Sequence, residues 1–78
     1  MSSWSTEDIG PLREALGLTQ TEFGALLRVN AVAVNQWEVA EPRELPDTFE
    51  QALDSLYESL SETQRQIYIT GALPPLHS

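Results

Sequence analysis

Two helix-start signals eleven residues apart constrain the middle of this 78-residue chain more than any other feature. In the first, Thr19 and Glu22 make the T-x-x-E pattern of a capping box, and Leu18 and Phe23 occupy the flanking positions of a hydrophobic staple. The second repeats the staple with Val29 and Val34 around Asn30, a residue favoured at N-caps. Each start leaves room for about two turns of helix, with a bend at Leu27-Arg28-Val29. Two short helices meeting at such a bend have helix-turn-helix geometry.

The flanking sequence is helical as well. Ser5 or Asp8 can cap a first helix with an apolar face of Ile9, Leu12, Ala15 and Leu16, and Gly17 ends it. Pro11 fits if that helix begins near Asp8, since first-turn amides have no intrahelical acceptor. Helix 2 then covers about Gln20 to Leu27 and buries Phe23, Leu26 and Leu27; helix 3 covers about Ala31 to Glu38 and buries Val34 and Trp37. Pro42 and Pro46 bracket a loop. A fourth helix starts at about Asp47, where D-x-x-E with Glu50 is another capping signal, and aligns Phe49, Leu53, Leu56 and Leu60 with Tyr57 beside them. Ser61-x-x-Gln64 restarts the pattern, so a break near Ser59–Ser61 and a fifth helix from Glu62 to about Thr70 are expected, stopped by Gly71 and Pro74-Pro75. Met1 to Ser5 reads as a frayed terminus, with Trp4 able to fold back onto the core. The expected fold is one all-α domain over residues 1–78, a four- or five-helix bundle. Helices 1 to 3 and their loop occupy 5–46, the C-terminal helices 47–70, and a flexible tail 71–78.

The polar positions narrow this further. Leu12 to Phe23 reads L-R-x-x-L-G-L-T-Q-x-x-F, Leu26 to Asn30 reads L-L-x-V-N, and Val34 to Glu38 reads V-N-Q-W-E. Together these segments resemble the Cro/cI-type (XRE-like) helix-turn-helix family, over about half the chain. The resemblance implies a lambda-repressor-like bundle whose third helix lies in the DNA major groove. Three positions depart from the family pattern: Arg28 stands where a turn glycine is usual, Gly24 where alanine is usual, and Val39-Ala40 where glycine normally stops the helix. By propensity alone, Gly24 costs roughly 1 kcal/mol.

The resemblance assigns base contacts to Ala31, Val32 and Gln36, and helical spacing turns Asn35 outward beside them. Gln36 can bridge adenine N6 and N7, and the methyls of Ala31 and Val32 can meet a thymine methyl. Gln20 resembles the family glutamine that bonds a phosphate at a helix N-terminus, with local capping as its alternative role. Asn30 is first a cap and second a phosphate contact, and Arg28 and Arg43 are the cations left to meet phosphates. The resemblance makes Arg13 and Glu38 a structural ion pair tying helix 1 to the end of helix 3.

Charge works against this reading. Twelve carboxylates face four arginines and no lysine, for a net charge of −8, which repels phosphates. The excess is displaced from the proposed face, since no acidic residue lies between Asn30 and Trp37. The same balance fits a high-salt or GC-rich source. Enzyme chemistry has little to stand on: there is no cysteine, His77 is the only histidine, and no catalytic or metal-ligand spacing occurs. No cofactor or metal is expected. No apolar run approaches the roughly 18 residues of a membrane helix, so no membrane association is expected and the simplest placement is cytoplasmic.

Ile67, Tyr68 and Ile69 are consecutive large apolar residues, and successive helical side chains turn by about 100°. Ile67 and Tyr68 can face helix 4, which leaves Ile69 in water near Leu73 and Leu76. That patch suggests a two-fold dimer interface formed by all five residues. The sequence therefore predicts a DNA-binding transcriptional regulator, a repressor before an activator, acting as a homodimer on double-stranded DNA at a palindromic operator. The alternative is a protein-binding module of the same fold, an antitoxin-like, phage or mobile-element partner using the acidic face of helix 4.

Overall fold

In the computed structural model, which describes residues 4–70, the regular structure is entirely helical. The helices are α1 (Ile9–Leu16), α2 (Gln20–Leu27), α3 (Ala31–Val39), α4 (Glu50–Glu58) and α5 (Glu62–Thr70). Single 3₁₀ turns at Thr6–Asp8 and Asp47–Phe49 lead into α1 and α4. The fold is all-α, and no helix among the described residues is long and apolar enough to cross a membrane. The tail over 71–78, with Leu73 and Leu76, lies outside the described residues.

Side-chain caps set three of the helix starts. Glu22 N donates to Thr19 Oγ1 at 3.1 Å and Thr19 N to Glu22 Oε1 at 2.9 Å, closing the box at α2. Ala33 N donates to Asn30 Oδ1 at 2.9 Å at the head of α3. Ser61 and Gln64 close a second reciprocal box before α5, with bonds of 2.9 and 3.1 Å. The D-x-x-E signal at Asp47 acts differently from expectation: the chain enters α4 through the 3₁₀ turn after Pro46, with no side-chain cap at either step.

Two helices end alike. Past α1, Gly17 takes φ 71°, with Leu18 N on Arg13 O and Gly17 N on Glu14 O. Past α2, Arg28 takes φ 62°, with Val29 N on Gly24 O at 2.9 Å and Arg28 N on Ala25 O at 3.3 Å. Both are Schellman closures, and both need a left-handed residue. Glycine enters that region freely, whereas a side chain costs roughly 1–2 kcal/mol there. Arg28→Gly should therefore stabilise the fold by about 0.5–1 kcal/mol after the extra unfolded-state freedom of glycine is deducted. A urea midpoint at or below that of the parent would show that the Arg28 side chain offsets its own backbone strain. The third helix has no such closure: Ala40 turns extended at ψ 165°, ahead of Pro42.

Gly24 has a second role. A Cβ built there would lie 2.6 Å from Val29 O, 3.3 Å from Asn30 O and 3.3 Å from Val34 Cγ2. The missing side chain lets the turn and α3 come down onto α2.

The core consists of Trp4, Ile9, Leu12, Ala15, Phe23, Leu27, Val34, Leu45, Leu53 and Leu60. Trp37 is half-buried, its ring 5.3 Å from that of Phe49 in an edge-on contact. Leu26 does not join this core and is 52% exposed. Phe23 and Leu27, four apart, take the inward side of α2, and Leu26 lies about 100° away from Leu27. The expectation of a buried Leu26 is corrected accordingly.

Within the terminus expected to fray, Trp4 does fold back onto the core, and the expectation is corrected for Ser5, which is paired with Glu44. Trp4 is buried, and its Nε1 donates to Asp54 Oδ1 at 2.7 Å. Leu45 N bonds Trp4 O at 3.0 Å, Thr6 N bonds Arg43 O at 2.8 Å, and Ser5 bridges Glu44 antiparallel. This strap pairs with the backbone of Leu45 and seats the fully buried Thr6, whose Oγ1 accepts from Arg43 N at 3.0 Å. No buried side-chain polar atom among the described residues lacks a partner.

Candidate nucleic-acid interface

Helical spacing divides α3 into two faces. Val34 points into the core, with Trp37 and Glu38 half-buried, while Val32, Asn35 and Gln36 are exposed and Ala31 is half-exposed beside them. Val32 is 63% exposed. The four expected base-contacting residues thus share the outward side of α3, and no carboxylate projects from Asn30 to Trp37.

This face is held from behind by one guanidinium. Arg13 Nε donates to Glu38 Oε2 at 2.6 Å, Nη2 to Glu38 Oε1 at 3.2 Å, and Nη1 to Leu18 O at 2.9 Å. The two side chains are only 20% and 15% exposed. The bond to Glu38 is the main cause that raises the Arg13 pKa above its ordinary value, against the lowering effect of burial. A bidentate, charge-assisted pair of this kind fixes angle as well as distance. It ties α1 and the α1–α2 turn to the last turn of α3.

Gln20 completes the tie. Its Nε2 donates to Asn35 Oδ1 at 3.2 Å and to Glu38 Oε1 at 3.3 Å. Of the expected contact residues, Gln20 and Asn35 are therefore joined to each other across α2 and α3. This link has no local signature, because its partners lie 15 and 18 residues away. Asn30 uses its Oδ1 as a cap, which leaves its amide nitrogen for an outside acceptor.

The expected cations flank α3 without lying on it. Arg28 is exposed in the turn before it; Arg43 is exposed in the loop after it, between Glu41 and Glu44, with its backbone held by Thr6. Arg65 lies 5.0 Å over the Tyr57 ring, and the Arg13 cation is engaged by Glu38.

Of the residues expected at a dimer interface, Ile67 and Tyr68 are half-buried against the core of their own chain. Tyr68 stacks edge-on to Tyr57 at 5.3 Å, and α5 packs mainly along α1. Ile69 is 64% exposed, and Leu73 and Leu76 lie outside the described residues. No group of three or more His, Cys, Asp or Glu among the described residues could hold a metal ion. Compared with known protein families, curated protein sequences and solved structures, the chain matches none.

Proposed function

We propose that α2 and α3 act as a helix-turn-helix and that the protein is a sequence-specific DNA-binding regulator working as a homodimer on a palindromic operator. The observation that carries this reading is the acid-free outward face of α3, held at a fixed angle by Arg13, Glu38 and Gln20. Gln36 would read adenine, and the methyls of Ala31 and Val32 would pack on thymine. Phosphate contacts fall to Arg28, Arg43 and the Asn30 amide, since the Gln20 amide is engaged with α3. One helix reads only a few base pairs, so two copies about one turn apart supply specificity. With Ile67 and Tyr68 turned inward, the pairing surface centres on Ile69. Repression needs no further domain, because occupancy of an operator suffices.

Fluorescence anisotropy with labelled DNA fragments over a salt series tests this. With two free cations per protomer, the log–log salt slope should be about −2 per protomer, shallow for a DNA binder. Gln36→Ala should cost about 1–2 kcal/mol on the best fragment and nothing on random DNA. An equal loss on both would make Gln36 a positioning residue. Absence of binding at low salt would overturn the reading.

That last result would favour a protein-binding module instead. Leu26, 52% exposed on α2, presents apolar surface to which the DNA reading gives no role.

A further inference from the structure

Away from α2 and α3, an open cleft of about 370 Å³ is lined by Trp4, Asp8, Asp54, Tyr57 and Tyr68. Its three rings brace one another: Trp4 lies 6.1 Å from Tyr57 and 6.4 Å from Tyr68, and the tyrosines are 5.3 Å apart, all edge-on or tilted. Its two carboxylates are oriented from within the fold. Asp54 Oδ1 accepts from Trp4 Nε1 at 2.7 Å, and Asp8 Oδ2 accepts from Ser5 N at 3.0 Å. Burial, together with the Asp8 charge, pushes the Tyr68 pKa up to about 12. Each carboxylate keeps lone pairs for another donor. The cleft thus combines aromatic walls with two carboxylates, and no arginine is among its lining residues.

Such walls suit one kind of cation. A guanidinium is planar and weakly hydrated, stacks on an aromatic ring and bonds a carboxylate along its edge. Tyr57 already takes one, since Arg65 lies 5.0 Å over its ring. The net charge of −8 attracts basic partners. We propose that this cleft seats the guanidinium group of an arginine side chain presented by a basic protein partner. The site does not depend on the reading of α2 and α3.

Nuclear magnetic resonance on the intact chain tests it, with N-acetyl-arginine methylamide as the probe. The Trp4 indole N–H should shift saturably with a Kd of about 1–10 mM, while the Trp37 indole stays in place. Asp54→Asn keeps an acceptor for the indole but loses the charge, and should weaken binding at least about fivefold; Asp8→Asn should do the same if the first variant folds poorly. A peptide carrying one arginine among lysines should bind at least about tenfold tighter than the probe, through long-range attraction. Equal affinity of probe and peptide would overturn the protein-partner assignment. Equal binding of the lysine analogue would overturn the guanidinium assignment. No saturable shift by about 50 mM probe, well above a millimolar Kd, or equal movement of both indoles, would overturn the site itself.

Discussion

Arg13→Ala should lower the unfolding free energy by about 3 kcal/mol, the low end of the range for breaking a buried ion pair. The loss comes mainly from what is left behind. Glu38 is 15% exposed and would keep only the 3.3 Å bond from Gln20, and Leu18 O would lose its 2.9 Å donor. The partial exposure of the pair and the surviving Gln20 bond keep the figure from going higher. For a domain of this size each kcal/mol moves Tm by about 4–8 °C, so the effect is large in a thermal melt. Adding Glu38→Gln to Arg13→Ala should recover part of the loss, because the stranded charge is then gone. A single variant that melts with the parent would show that the pair contributes nothing, and α3 would need another anchor.

The second large effect runs against helix propensity. Gly24→Ala in mid-helix would ordinarily gain about 1 kcal/mol. Here the added Cβ would meet Val29 O at 2.6 Å, with Asn30 O and Val34 Cγ2 both at 3.3 Å. The nearest obstacle is backbone, and that backbone is fixed by the Val29 N bond to Gly24 O at 2.9 Å and by the Asn30 cap. The turn must move, or α3 must lift. We expect a net loss of about 2–3 kcal/mol, the upper part of the range for overpacking a close contact. Urea melts with an unchanged m-value and a lower midpoint would show it. A higher midpoint would mean that the turn relaxes at no cost and that Gly24 is only a propensity defect.

These two positions show what the sequence does and does not disclose. Helix starts are local chemistry: Thr19 with Glu22, Asn30 with Ala33 and Ser61 with Gln64 each close over three residues, so their spacing suffices to read them. The break between α4 and α5 was legible for the same reason. Gly24 reads as a weak helix residue because the atoms that require it belong to the next turn and the next helix. Gln20 reads as a capping or phosphate residue because Asn35 and Glu38 reach it only through packing. The strap of Trp4 to Thr6 along Arg43 to Leu45 carries no periodic pattern at all, and Leu45 looks like any loop leucine until its backbone pairs with Trp4 and its side chain joins the core. Leu26 beside Leu27 is ambiguous in sequence, and only the placement of Phe23 decides which of the two turns inward. The outward face of α3 followed from spacing; of the network behind it, the Arg13–Glu38 pair followed from the resemblance and the Gln20 links did not.

The loop between α3 and α4 is a loop only in shape. Leu45 N and Arg43 O are bonded to residues near the chain start, and Trp4 reaches Asp54, fifty residues away, to close the other side. Opening any of these contacts releases the chain ends of a long ring, and closing them again costs loop entropy that only the whole core repays. Local fluctuation in this region is therefore coupled to global unfolding. The α2–α3 pair is not a free-standing module with three helices appended. It shares one core with a tryptophan and a leucine that belong to neither helix.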